Sequence, residues 1–365
     1  MGAFNGTLNS NEIFAGLYNM IISQQVFADN IKGTKSDLVD MAKVDGSMYG
    51  DTKLYYATDA LTSSEWGNDA EAVNLLQLDR PKAPDCQKIT LDVFRQIRLT
   101  VDNYLTKRAW MNEGAFSDFN SVMLGWIRET KKIYDSTTYN TYIGTAKSPK
   151  ATENIEIDVS TAIQGLTGEE AARVEAQVIA EEIAKLLVNL EDISRDYNDY
   201  GNLRSYTSDD LVFVWNTDAM AKIEKRDLPT IFHKDIVDKF GEHTLPGRYF
   251  GTINDTQKTG DGKTIRSLVE QVVSKGASDP KIHVFAGDLI PTGYTVEANK
   301  SYTVDGKVLF KVYHKGPNSV PYMSAFEAAT SFFNPRSLTE NHYLTFGHNT
   351  LEYLKNYPFI TVTQK

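Results

Sequence analysis

The most regular pattern of apolar and polar positions lies at residues 88–102. Ile89, Leu91, Val93, Ile97, Leu99 and Val101 take alternate places, with Lys88, Thr90, Asp92, Gln96, Arg98, Thr100 and Asp102 between them. A period of two puts one apolar row on one face of a strand. Only Phe94-Arg95 inverts the order, which predicts a bulge. About 15 residues at the strand rise reach roughly 50 Å, against about 5–6 residues for a usual strand. The expectation is a strand that outruns its own domain, its apolar face covered by a second copy of the chain. A shorter strand at Lys53–Ala57 precedes it, after turns at Asp45-Gly46 and Gly50-Asp51.

Helical periodicity marks three segments. In 12–32, Ile13, Leu17, Met20, Ile21, Phe27 and Ile31 recur at steps of three and four. In 115–135 the stripe is Phe116, Phe119, Met123, Trp126, Ile127 and Ile133, with Gly144 and Pro149 beyond its end. In 168–195 it is Val174, Val178, Ile183, Leu186, Leu187, Leu190 and Ile193, and Thr167 with Glu170 reads as a capping box. A shorter helical piece is expected over Ala70–Leu78. Leu211–Trp215 reads as a buried strand, followed by a short helix capped by Asn216 or Thr217. Residues 264–275 and Ala325–Phe333 read as helices, and strands dominate from 282 onward. Asp305-Gly306 predicts a hairpin between 301–304 and 307–313, and Pro358–Thr363 a final strand. This mixture is α+β.

Charge and composition then exclude whole classes. The formal net charge of −10 is the wrong sign for a sequence-independent grip on nucleic acid. A single cysteine, Cys86, rules out an internal disulfide framework and any multi-cysteine zinc site, and reads as a small hydrophobe. No secretory leader or bilayer-spanning apolar run is visible. The 19 tyrosines and 17 phenylalanines suit surfaces that a partner or a carbohydrate covers.

Motifs for chemistry do not assemble. Gly262-Lys263-Thr264 has Gln257 where a phosphate loop needs glycine. Asp196–Gly201 begins like a calcium loop, but Tyr200 and Thr207 stand at its fifth and twelfth positions. None of the six histidines has zinc spacing, and solvated or structural roles are expected of His342 and His348. Gly46–Gly50 is not a nucleophile elbow. Glu169, Glu170, Glu181 and Glu182 read as a solvated helix face. No catalytic, cofactor-binding or metal-binding residue is assigned, and no cofactor is expected.

The element order and several phrases resemble the tailed-bacteriophage major capsid proteins of the Hong Kong 97-type fold. Val44-Asp45-Gly46-Ser47-Met48-Tyr49-Gly50-Asp51-Thr52-Lys53 through Tyr56-Ala57-Thr58-Asp59 looks like the ascending arm of that family's extended loop, and Gln87–Trp110 its descending arm. Tyr139–Gly144 is similar to the exit from the spine helix, and Asn356–Thr361 to the last strand. The resemblance implies an N-terminal arm over 1–36 and an extended-loop hairpin over 37–111. It further implies a peripheral domain with a spine helix over 112–160 and 325–365, and an axial domain over 161–324. Family members are not enzymes. They build icosahedral shells from hexamers and pentamers, with scaffold and portal proteins as partners and packaged DNA inside, in virions assembled in the host cytoplasm. A separate scaffold or a mature form is implied by a chain that starts almost at the arm. The implied subunit interface is Leu54, Tyr56, Ile89, Leu91, Val93, Ile97, Leu99 and Val101. On that basis Leu91→Asp or Leu99→Asp leaves a soluble subunit that forms no shell. An encapsulin-like nanocompartment shell uses the same fold. From a different class, a carbohydrate-acting enzyme with a carboxylate pair fits the tyrosines and acids, and predicts a small oligomer with an acidic cleft.

Overall fold

The computed structural model describes residues 37–46, 50–63, 80–102, 113–219, 243–255, 270–274, 282–285, 295–296 and 300–365. The expected helices over 12–32 and Ala70–Leu78 and the Gly262-Lys263-Thr264 tip lie outside them. Two units are distinguished. The first comprises Met1–Asp51, Thr90–Asn140 and Tyr322–Thr350, and the second Thr52–Ile89, Thr141–Pro321 and Leu351–Lys365.

One five-stranded sheet runs in the order β1, β13, β14, β3, β2. Its strands are β1 (Lys43–Asp45), β2 (Thr52–Ala57), β3 (Asp85–Asp102), β13 (Tyr322–Asn334) and β14 (Thr339–Asn349). The strand read at 88–102 is therefore present and longer still, at 18 residues. It runs antiparallel to β14 from Asp102 opposite Thr339 to Leu91 opposite Asn349. The register slips at Asp92, not at Phe94-Arg95: Val93 faces His348 and Leu91 faces Asn349. The slip aims the Asp92 carboxylate at Thr350, whose N–H and hydroxyl donate to it at 3.1 and 2.7 Å. The inverted pair needs no bulge. Arg95 places its guanidinium 5.0 Å from the centre of the Tyr134 ring. Phe94 lies across Gly347, where a Cβ would come within 2.6 Å of its ring.

A long helix, α2 (Glu113–Thr145; α1 is Asp37–Ala42), packs on this sheet within the first unit. Ile127 and Tyr134 meet Leu344 and Phe346 there, with Ile97 and Leu99 against them. The Tyr134 hydroxyl lies 3.0 Å from His348 Nε2, so that histidine is structural, as expected. The helix does not stop near residue 135. It continues through Tyr139–Gly144, all of them buried. Tertiary burial overrides the weak helix propensity of this Thr- and Tyr-rich stretch.

The second unit is built on a sheet ordered β4, β15, β12, β5, β6. These are Asn154–Ile157, Phe359–Gln364, Val308–His314, Leu211–Asn216 and His243–Leu245. The central β12 runs antiparallel to β15 and to β5. Helix α3 (Glu169–Glu191) covers it through Ala176, Ile179, Ile183, Leu186 and Leu190, against Phe213, Trp215, Phe310 and Ile360. The helix ends at Glu191, so Ile193, the last member of the expected stripe, lies beyond it and is 68% exposed. The capping box does not form, because Gly168, at φ 67°, takes the cap position. The Asn216 cap does form, its Oδ1 accepting from Asp218 N–H at 3.1 Å.

Three expectations fail for a common reason. Ala325–Phe333 is part of strand β13 rather than helix, because seven of its residues, Glu327–Phe333, pair with β14 and sheet pairing outweighs alanine's propensity. Glu270–Ser274, expected to end a helix, is strand β8 and pairs with β9 (Ile282–Phe285) and β10 (Thr295–Val296). Asp305-Gly306 turns the chain but makes no hairpin. β11 (Lys300–Val304) pairs with β7 (Gly251–Asp255), while β12 joins the other sheet.

Candidate assembly surface

An exposed apolar row on an ordered element is a candidate contact surface, and strand β2 carries one. Its burial alternates, so that Thr52, Leu54 and Tyr56 are exposed while Ala57 is buried. Leu54 is 51% and Tyr56 65% exposed, and Leu61 just beyond is 80% exposed. Period two places Leu54 and Tyr56 on one side of an edge strand. Tyr55 points the other way and is half-buried, which raises its hydroxyl pKa. An exposed apolar row on a sheet edge is the kind of feature that soluble monomers avoid.

The six expected interface residues on β3 divide differently. Ile89, Leu91, Val93 and Val101 are 1–3% exposed, so their own chain already covers them. Ile97 and Leu99 are half-buried against the Tyr134–Phe346 cluster. The single chain thus already covers most of this face, and the cluster of Ile127, Tyr134, Leu344 and Phe346 packs against Ile97 and Leu99. Leu54 and Tyr56 are the expected residues that remain open. Sequence reading missed Leu61, and also Phe332, Phe333 and Leu338 at the end of the β13–β14 hairpin, which are 62%, 49% and 41% exposed. The two phenylalanines were hidden by the helical reading of their segment; a Leu in an otherwise polar turn carries no sequence signal.

Sites for other chemistry are weak. In the first unit a pocket of about 160 Å³ is lined by Arg128, Lys131, Lys132, Asp135, Ser136 and Glu327, among others. That is below the roughly 300–1,000 Å³ of ligand pockets. Its Lys131 is engaged, bridging Asp135 at 3.3 Å and Glu327 at 3.2 Å. The calcium-like stretch is structural. The Asp199 carboxylate accepts from the Ser148 and Tyr353 hydroxyls at 3.1 and 2.7 Å. Cys86 is exposed rather than a buried hydrophobe. Among the described residues no cluster of three or more His, Cys, Asp or Glu could hold a metal ion. Nor is any helix among them long and apolar enough to cross a membrane.

Two buried ionisable groups lie in the second unit. Glu153 is fully buried, and desolvation pushes its carboxyl up to about 7, the nearby Asp199 adding to the shift. Lys311 is fully buried on β12 and donates to the Ala146 carbonyl at 2.6 Å and to Thr361 Oγ1 at 2.8 Å. Desolvation pushes its ammonium down to about 7. Both are enclosed in the packed interior, so they bear on stability.

Comparison with known proteins fits this geometry. A family model described as Phi29-like phage major capsid protein matches residues 5–363. A chain in the capsid structure of Staphylococcus phage Andhra is similar with a TM-score of 0.58 and 12% identity, over 91% of this chain and 84% of that one. A chain in the structure of the head fiber and inner core protein gp22 of native bacteriophage P68 is similar with a TM-score of 0.56 and 12% identity, over 87% and 83%. At such identities the likeness speaks to the fold, which is of the Hong Kong 97 type. No curated protein matches the sequence.

Proposed function

The chain belongs to the Phi29-like phage major capsid protein family, and from that premise we propose that it joins its neighbours in the shell through the exposed face of β2. As a major capsid protein it is a structural component of the bacteriophage shell. The observation that carries the proposal is the exposure of Leu54 and Tyr56 on one side of an ordered edge strand. Around the rings of a shell, copies meet head to tail, so a patch on one copy is presented to a different patch on the next. An apolar row of this kind gains about 25 cal/mol per Å² when covered.

The arrangement expected around this contact is hexamers and pentamers, assembled in the host cytoplasm with scaffold and portal proteins. The chain's charge of −10 suits a wall that encloses DNA without sequence-specific binding. The role is mechanical: no step of it requires a catalytic group. The proposed shell subunit divides into an arm (1–36), an extended loop (37–111), a peripheral domain (112–160, 325–365) and an axial domain (161–324). Truncation at those boundaries followed by limited proteolysis tests this division.

The interface itself is tested by Leu54→Asp with Tyr56→Asp, examined by negative-stain microscopy and circular dichroism. The double variant is expected to fold and to form no shells. Normal particles would refute the proposed contact.

A further inference from the structure

Where β2 ends, the chain is tied down. The Asp59 carboxylate accepts from the backbone N–H of Leu203 at 3.0 Å, from that of Ala60 at 2.8 Å and from Arg195 Nη1 at 2.6 Å. These donors hold its pKa well below the usual carboxylate range, the Leu203 N–H foremost. One residue earlier, the Thr58 carbonyl accepts from Arg204 Nη2 at 2.6 Å, and the same nitrogen reaches Asn356 Oδ1 at 3.1 Å.

The segment that receives these contacts is closed on itself. Ser194 and Arg204 exchange both backbone hydrogen bonds at 3.0 Å. The buried Asn198 side chain donates to the Asn202 carbonyl at 2.7 Å and accepts from its N–H at 2.9 Å. Lys150 Nζ holds the carbonyls of Arg195 and Asn198 at 2.5 and 3.0 Å. All of these residues belong to the second unit, so the tether runs from β2 into a braced loop of the same body.

The ion pair is the weaker part of this device, because the Arg195 side chain is 51% exposed and surface pairs contribute little. The backbone contacts carry more, since Leu203 is only partly exposed and its N–H loses its acceptor if Asp59 goes. Contacts on two successive residues fix both the place and the direction of the chain. Two residues to either side an apolar side chain stands open: Tyr56 before, Leu61 after. A polar anchor thus sits at the root of an exposed apolar face.

We propose that Thr58–Asp59 is the fixed root of the assembly arm, with Asp59 and Arg204 as positioning residues that hold the Leu54–Leu61 face in the attitude that a second copy of this chain meets. The inference rests on the reading of β2 as an assembly face. It adds that this face is set in the free subunit rather than ordered on contact. Ordering before contact removes a conformational cost from each of the many contacts of a shell.

The test compares Asp59→Ala with Asp59→Asn, which keeps an oxygen for the Leu203 N–H but loses the charge. In the unassembled full chain, amide exchange over 54–61 should rise about tenfold or more in the alanine variant and less than about threefold in the asparagine variant. The unfolding midpoint should stay within about 2 °C of the parent, and the rate of particle formation should fall in the same order as exchange rises. Unchanged exchange in Asp59→Ala overturns the proposal. Faster exchange over the whole second unit with a lowered midpoint also overturns it, since Asp59 then serves stability alone. Local loosening with particles forming at the normal rate overturns it as well. In that event Tyr56→Asp separates the causes: if it still blocks shells, the β2 interface stands and only the anchor fails.

Discussion

Strands β2 and β3 each place an apolar row on one side, and the two rows meet opposite fates. On β3 the apolar row is covered by its own chain: Leu91 is 1% exposed and Val93 2%. On β2 the row is left open, with Tyr56 at 65%. Periodicity tells which side of a strand is apolar. It does not tell what covers that side, because the cover comes from segments far along the chain. For β3 part of that cover is a cluster that includes Leu344 and Phe346, almost 250 residues on, against which Ile97 and Leu99 pack.

The contrast is broken most severely on β3. Leu91→Asp should cost about 3 kcal/mol or more, because an unpaired carboxylate replaces a buried methyl cluster. The expected outcome is loss of soluble, folded chain, read by thermal unfolding. This reverses the sequence-based expectation of a soluble, assembly-deficient subunit. A folded Leu91→Asp subunit would show that β3 is less well covered than its burial indicates.

The next effects lie in the second unit and depend on pH. Between its ordinary 4.5 and about 7, Glu153 is protonated when folded and ionised when unfolded, so stability falls as pH rises through that window. Between about 7 and its ordinary 10.5, Lys311 is neutral when folded and charged when unfolded, so stability rises with pH there. Glu153→Gln should flatten the lower limb and stabilise the chain above pH 7, and Lys311→Met should flatten the upper limb. Urea unfolding at pH 5, 7 and 9 measures both; slopes that survive the substitutions would point to other groups.

A smaller effect is expected where β14 meets α2. Tyr134→Phe removes the hydroxyl that lies 3.0 Å from His348 Nε2. The loss should be about 1 kcal/mol, visible as a shift of a few degrees in the unfolding midpoint. Smallest on stability is Tyr56→Asp, within about 0.5 kcal/mol because the site is exposed. A large loss of subunit stability there would mean that β2 is already packed.

Much of the fold could be read from the chain because it rests on local pattern. β3 and the two long helices announce themselves through periods of two or 3.6, and β5 through a continuous apolar run. The failures occurred where distant pairing decides. Ala325–Phe333 has helical composition yet becomes β13 because β14 offers it a ladder. Asp305-Gly306 has the residues of a hairpin turn, but the strands it joins belong to different sheets. The proposed assembly face was legible only in part. Leu54 and Tyr56 were marked by resemblance, and their exposure came only with the structure. The Asp59 anchor depends on Arg195 and Leu203, which no local motif links to it.

The central claim is that β2, and not β3, gives up its exposure to a neighbouring copy. Amide hydrogen exchange in free subunits and in assembled shells tests it directly. The account predicts that peptides spanning 52–61 gain strong protection on assembly, while those spanning 89–101 are protected already and change little. Protection gained over 89–101 with none over 52–61 would contradict it.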